Sequence, residues 1–233
     1  MKQFDVPPAY RSQLISQIKQ RRRQADRMKK DFSPTRLTIG RMTVLLARHF
    51  GFCYGVENAI EISFRAVEEH PDKRIFLLSE MIHNPLVNAD LARRGVQFIM
   101  DTHGRQLIPW SELKPDDIVM IPAFGTTLEI AEQLHRIGIS PIAYNTTCPF
   151  VERVWNKASS IGEKGYTVVI HGKPQHEETR ASFSHSAAIA PTVIVKDMQQ
   201  ARQLAEFITR KRPADEFFEV FRNQYSSGFN PET

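Results

Sequence analysis

Residues 43–60 read TVLLARHFGFCYGVENAI, and residues 141–155 read PIAYNTTCPFVERVW. Each opens on a short apolar run suited to a strand, passes a cysteine, and continues into a helical pattern. In the first, Val56, Ala59, Ile60, Ser63 and Val67 share one helix face. The two corners echo each other, since Cys53-Tyr-Gly-Val56-Glu57 and Cys148-Pro-Phe-Val151-Glu152 are both C-x-x-V-E. Strand alternating with helix means βα units and a mostly parallel sheet, an α/β fold. Corners at the carboxyl ends of parallel strands are where open α/β sheets place ligands. A helix N-terminus there offers free N–H groups and a dipole that favour a thiolate or a diphosphate.

Outward from these corners the same alternation continues. Strands are expected at Thr43–Ala47, Arg74–Leu78, Asp117–Ile121, Pro141–Tyr144, Tyr166–His171 and Thr192–Lys196. Leu128, Ala131, Leu134 and Ile137 form another helical face, with Thr126 and Glu129 at capping-box spacing in front. Asp197 and Gln200 repeat that start signal before a segment reaching about Arg210. The expected organisation is a basic N-terminal arm over 1–41, a first α/β domain over 42–146 carrying Cys53, and a second over 147–233 carrying Cys148. The arm has an extended Val6-Pro7-Pro8 start, a polar helix from about Ser12 to Lys30, and the breaker Ser33-Pro34.

The bulk properties narrow the function classes. With 233 residues, 41% hydrophobic and 24% charged, the chain suits a soluble globular protein and can bury a sizeable core. No apolar run approaches the length of a membrane span, and the N-terminus has no secretory h-region. Asp5 and the early prolines argue against an organelle transit peptide, so a cytoplasmic protein is expected. The net charge of +5 is uneven: residues 1–41 hold eleven Lys/Arg against three Asp, leaving the remaining 192 residues at −3. The run Arg21-Arg22-Arg23 with Arg27, Lys29 and Lys30 has no interleaved aromatics to stack bases, so a solvated helix face is favoured over a nucleic-acid partner. Cys53 and Cys148 lie 95 residues apart and neither belongs to a C-x-x-C pair, which argues against a zinc finger and a disulfide framework.

The common nucleotide and hydrolase signals are missing. There is no G-x-G-x-x-G, no P-loop and no G-x-S-x-G, and His176-Glu177-Glu178-Thr179-Arg180 has Arg where a zincin needs its second histidine. What remains is Cys, His and Glu at loops that follow strands. Gly51 and Gly55 flank Cys53 and allow close backbone approach, although a small buried core thiol is the plainer reading. His83 and Asn84 precede Pro85, which fits a ligand-facing histidine or a simple Asn N-cap. His171 and His176 bracket Gly172-Lys173-Pro174 and precede two carboxylates, which fits a site or a solvated polar loop.

Together HFGFCYGVENAI, EMIHNPLV, PAFGTT, TTCPFVERVW and VIHGKPQHEET, in this order and spacing, resemble the LytB/IspH family from about Met42 to the C-terminus. The arm resembles the N-terminal extension of its longer, plant-like members. The resemblance implies repeated α/β domains around a central 4Fe-4S cluster, each supplying one cysteine, with Cys53 and Cys148 as two of three ligands. It implies reduction of 4-hydroxy-3-methylbut-2-enyl diphosphate to isopentenyl and dimethylallyl diphosphates, with electrons from a ferredoxin- or flavodoxin-like donor. His83 and His176 match diphosphate-binding histidines, and Glu178 matches the carboxylate that relays protons to the departing hydroxyl; a one-residue slip would exchange it with Glu177. Where many members have histidine this chain has Phe124, as in other PAFG members. The family's third cysteine and third domain have no counterpart before Thr233, and the polar ending after Gly228 is expected of a fragment. Against the reductase stand a cluster-free binding module and a thiol redox protein, the latter wanting a nearby resolving cysteine.

Overall fold

The structure, a computed structural model, describes residues 12–28, 30–48, 50–140 and 142–231; the Val6-Pro7-Pro8 start lies outside them. The elements run α1 (Gln13–Ala25), β1 (Thr35–Ile39), β2 (Met42–Leu46), α2 (Tyr54–Glu69), β3 (Ile75–Leu77), α3 (Pro85–Arg93), β4 (Gln97–Phe98) and β5 (Ile118–Met120). They continue with α4 (Leu128–Ile137), α5 (Pro149–Gly162), β6 (Val168–His171), α6 (Glu177–Ala187), β7 (Thr192–Val195), α7 (Met198–Ile208) and α8 (Phe217–Val220). Among the described residues, no helix is long and apolar enough to cross a membrane.

The central sheet has the order β4-β3-β5 with both pairings parallel. Its side chains divide by the period of two. Ile75, Leu77, Ile118 and Met120 pack with Ala59, Ile60 and Phe64 of α2 and Val87 and Leu91 of α3. Phe76, Leu78, Val119 and Ile121 face the other way, onto Leu134 of α4 and Ile139. Both faces are therefore buried, which is why these strands read as continuous apolar runs. A second, two-stranded parallel sheet pairs β6 with β7, in register from Val168 opposite Thr192 to His171 opposite Val195. Val193 and Val195 pack on Leu204 and Phe207 of α7 and on Phe217 and Phe221.

Three sequence expectations change. Of the strand expected at Pro141–Tyr144, the described residues 142–144 do not form one. The segment turns, and joins the sheet only through a parallel bridge between Ile121 and Asn145, with Ile121 N–H donating to Tyr144 O and Thr146 N–H to Ile121 O. The cap of α4 is Thr127, not Thr126; its Oγ1 accepts from Ile130 N–H at 3.3 Å. β2 belongs to neither parallel sheet but pairs antiparallel with β1, across the positive-φ turn at Gly40. The hairpin's Ile39, Met42 and Leu45 are exposed, so its apolar composition did not reveal burial. The α1 helix starts as expected but ends at Ala25, short of Lys30; it sits against the body, with Ile18 buried and Lys19 Nζ 3.9 Å from Glu57.

The loop after β3 is held from within. Asn88, buried in α3, accepts from Met81 N–H at 3.1 Å and donates to Ile82 O at 2.9 Å. Replacing it leaves the buried Met81 N–H without a partner, while Ile82 O keeps only the bond from Asn84 N–H. Asn88→Ala should lower unfolding free energy by on the order of 2 kcal/mol, read from the urea midpoint at unchanged slope. A loss below about 1 kcal/mol would show that the loop does not depend on this side chain.

Candidate functional site

Both cysteines occupy the N-cap position of a long helix. Cys53 caps α2 and Cys148 caps α5, each with extended backbone and neither with a side-chain capping hydrogen bond, so the thiols are spared for other partners. Cys148 N–H donates to Ala123 O at 2.9 Å, which sets it at the carboxyl edge of the sheet beside β5. Cys53 is exposed and Cys148 partly so. The C-x-x-V-E echo is therefore a geometric equivalence. The two corners also touch: a Cβ on Gly55 would collide with Cys148 Sγ, so only glycine lets the first turn of α2 lie on that thiol. Cys53 further borders an open groove of about 780 Å³ lined by Lys19, Arg22, Arg23, Arg48 and Phe50.

The histidines gather at the next loop. His83 leaves the carboxyl end of β3, and Asn84 behind it caps α3, accepting from Leu86 and Val87 N–H with Pro85 at the first helical position. His176 leaves the carboxyl end of β6 and caps α6, its Nδ1 accepting from Glu178 N–H at 3.3 Å. Their Nε2 atoms meet at 3.1 Å. The His83 ring stacks on Phe124, centroids 4.2 Å apart and 25° between planes, while Phe124 meets His176 edge-on. Phe124, a subgroup marker in the sequence, is thus the shelf that orients His83.

The hydrogen bonds assign the protons. With Nδ1 of His176 accepting, the neutral ring carries its proton on Nε2 and donates to His83 Nε2. Neutral His83 then holds its proton on Nδ1, which faces Glu80 Oε2 at 3.7 Å. Burial, and next the nearby His83, push the His176 pKa below its ordinary 6.5. A proton on His83 Nε2 would break the Nε2–Nε2 bond and turn both nitrogens into donors, the state suited to an anion, whereas one on His176 would go to Nδ1 and displace the cap from Glu178 N–H.

The two adjacent carboxylates are distinct. Glu178 is exposed and lines, with His171, His176, Thr179, Ser182 and Ser186, a groove of about 440 Å³ between α5, α6 and β6. Glu177 is 5% exposed, accepts from Ser79 Oγ, and has Oε1 at 3.7 Å from His83 Nε2. Burial raises its pKa, opposed by Ser79, His83 and Arg180. Sequence reasoning singled out neither Ser79 nor Arg180. Their only linear signal is placement, Ser79 just past a strand and Arg180 one turn beyond Glu177.

The structure brings His83 and His176 together, sets Glu178 in the groove that His176 lines, and brings the α2 corner onto Cys148. The loop 122–127 joins these groups, meeting Cys148 through Ala123 and His83 through Phe124. Among the described residues, no three His, Cys, Asp or Glu side chains converge as a metal-holding group.

Comparison with known proteins gives a consistent picture. A family model described as LytB protein matches residues 44–220. The chain is 38% identical over 198 residues to the 4-hydroxy-3-methylbut-2-enyl diphosphate reductase of Gloeothece citriformis, covering 85% of this chain and 48% of that protein. With the same-named protein of a Synechocystis species it is 34% identical over 223 residues, covering 96% and 54%. The chain thus spans about half the length of the curated relatives it matches. Two solved structures share the fold. One is a structure of (E)-4-hydroxy-3-methyl-but-2-enyl diphosphate reductase, with TM-score 0.55, 24% identity, and 73% of this chain and 59% of that one covered. The other is the reductase from Plasmodium falciparum, with TM-score 0.56, 22% identity, and coverage of 66% and 44%.

The proton assignment is testable by nitrogen-detected NMR of the imidazoles. His176 should titrate below 6.5, with its neutral form protonated on Nε2. A midpoint at or above 6.5, or a neutral ring protonated on Nδ1, would contradict it.

Proposed function

Because this chain belongs to the LytB family, we propose that it forms the part of a 4-hydroxy-3-methylbut-2-enyl diphosphate reductase that binds the diphosphate and supplies two thiolates to an iron–sulfur cluster. The observation that carries this reading is that Cys148, His83 and His176 all meet the loop 122–127, with the α2 corner that follows Cys53 packed on Cys148.

The donor set fits a cluster in kind. Two thiols at adjacent helix N-termini are free of capping duty, and the dipoles there favour the thiolate. It falls short in number, because the chain has two cysteines and three are needed to leave one iron open. When bound, such a cluster supplies electrons one at a time and an open metal position for a hydroxyl.

The chain's own residues do the remaining work. His83 and His176, once both present N–H groups, would hold the diphosphate by charge-assisted hydrogen bonds. Glu178, beside His176 and open to solvent, would hold the proton that converts the leaving hydroxyl to water. The reaction balances when the allylic C–O bond breaks, two electrons enter from a ferredoxin- or flavodoxin-like carrier, and two protons are consumed, one by the hydroxyl and one by carbon. The buried Glu177 is a poorer candidate for that relay, since Ser79 donates to its Oε2 and the side chain does not line the groove that holds Glu178.

Inorganic pyrophosphate should bind this chain, tighten as pH falls from about 7.5 to 6, and take up protons on binding. The sign follows from the anion, which favours the charged form of the pair, while burial and the neighbouring His83 hold His176 neutral in its absence. His83→Ala and His176→Asn, the latter keeping a helix cap, should each weaken binding by about tenfold in calorimetry. Binding that is indifferent to both changes would remove the diphosphate assignment. In a form extended to the length of the relatives, Glu178→Gln should keep the visible cluster absorption and lose most turnover. Cys53→Ser should lose the absorption itself, and normal turnover in the Glu178 variant would end the proton-relay assignment.

A further inference from the structure

At the start of α6 two buried polar atoms lack hydrogen-bond partners within the protein: Oε1 of Glu177 and Nε of Arg180. The two residues are one helical turn apart, and both line a cavity of about 20 Å³ that also touches Ser79, Met100, Gly125 and Thr126. Arg180 cannot easily swing away, because its guanidinium lies where a Cβ of Gly104 would be, with that glycine at φ +83°. Glu177 is anchored at the other side, where Ser79 Oγ donates to its Oε2.

We propose that this cavity binds one ordered water molecule that bridges Arg180 and Glu177 and thereby fixes the first turn of α6. The chemistry of the lining selects the ligand. A cation is opposed by the guanidinium and an anion by the carboxylate. The site needs a neutral group that accepts from Arg180 Nε–H and donates to Glu177 Oε1, and water does both. The volume suits one molecule, since about 10–15 Å³ of probe-filled space holds a single water when polar partners are present. Leaving the two atoms unpaired would cost each its desolvation penalty, so occupancy is strongly favoured.

The consequence lies next door in sequence. His176 caps α6 immediately before Glu177, and Glu178 follows it. With the water in place, Glu177 is tied through Ser79 to the end of β3 and through Arg180 to the 101–105 loop. That linkage fixes the His176 ring over the Glu178 amide and against His83. Glu177 and Arg180 are thus positioning residues, and the inference does not depend on what the site binds.

The test is a high-resolution crystal structure of the 233-residue chain and of its Arg180→Lys variant. Lysine keeps the positive charge but puts a methylene where Nε stands. The expected result is one density peak within hydrogen-bond distance of Glu177 Oε1 and Arg180 Nε, absent in the variant. A direct Arg180–Glu177 contact, a dry cavity, or a water retained in the variant would overturn the bridge. NMR supplies the readout of positioning. In Arg180→Lys the His176 Nδ1 resonance should shift toward that of a free acceptor as the cap to Glu178 N–H loosens. An unchanged resonance in a folded variant that has lost its water would overturn the positioning role.

Discussion

Gly55 carries no side chain, and Cys148 Sγ lies where one would be. That close approach brings the N-terminal turns of α2 and α5 together, and most of the site follows from it. Two helix dipoles point their positive ends at one region, with a thiol at each cap position. Any larger residue at 55 would push α2 away from Cys148 and separate the two corners. Because α2 also packs Ala59, Ile60 and Phe64 onto the central sheet, the approach is set by the core and not by the loop alone.

The histidine side of the site is built on the same sheet by different means. β3 ends at Leu77, and the following loop is held from below by Asn88 and from the side by Phe124. His176 reaches the same place from the second sheet, at the cap of α6. Neutral histidines that hydrogen-bond to each other keep the pocket satisfied in the free state. In the proposed role an anion would have to break that bond, which would favour a strongly charged group over a weak acceptor.

Much of this was legible in the sequence, and the limits are physical. The βα alternation showed because the strands of the central sheet are buried on both faces and read as uninterrupted apolar runs. The C-x-x-V-E echo showed because cap positions have local signatures. By contrast, Ile142, Ala143 and Tyr144 have strand composition but turn, and the sheet is met only by a bridge at Asn145, a tertiary outcome that propensity does not encode. β1 and its antiparallel pairing with β2 hid because the strand is short and mostly polar (Thr35-Arg36-Leu37-Thr38-Ile39) and neither of its faces is buried. The contacts that order the site, Ser79 with Glu177 and Arg180 against Gly104, join residues 98 and 76 positions apart. No local pattern reports such pairs. Glu177 and Glu178 differ in burial, which one residue of helix register decides and no linear pattern shows.

The account rests on Cys53 and Cys148 acting as partners in one metal centre. The most direct measurement is anaerobic iron and acid-labile sulfide analysis with the visible spectrum, on this chain and on a form extended to its relatives' length. The account predicts a brown cluster in the extended form, and no stable four-iron cluster on a chain with two thiolates. No iron or sulfide in either form would contradict it, leaving the family's fold as a binding module without the reductive chemistry.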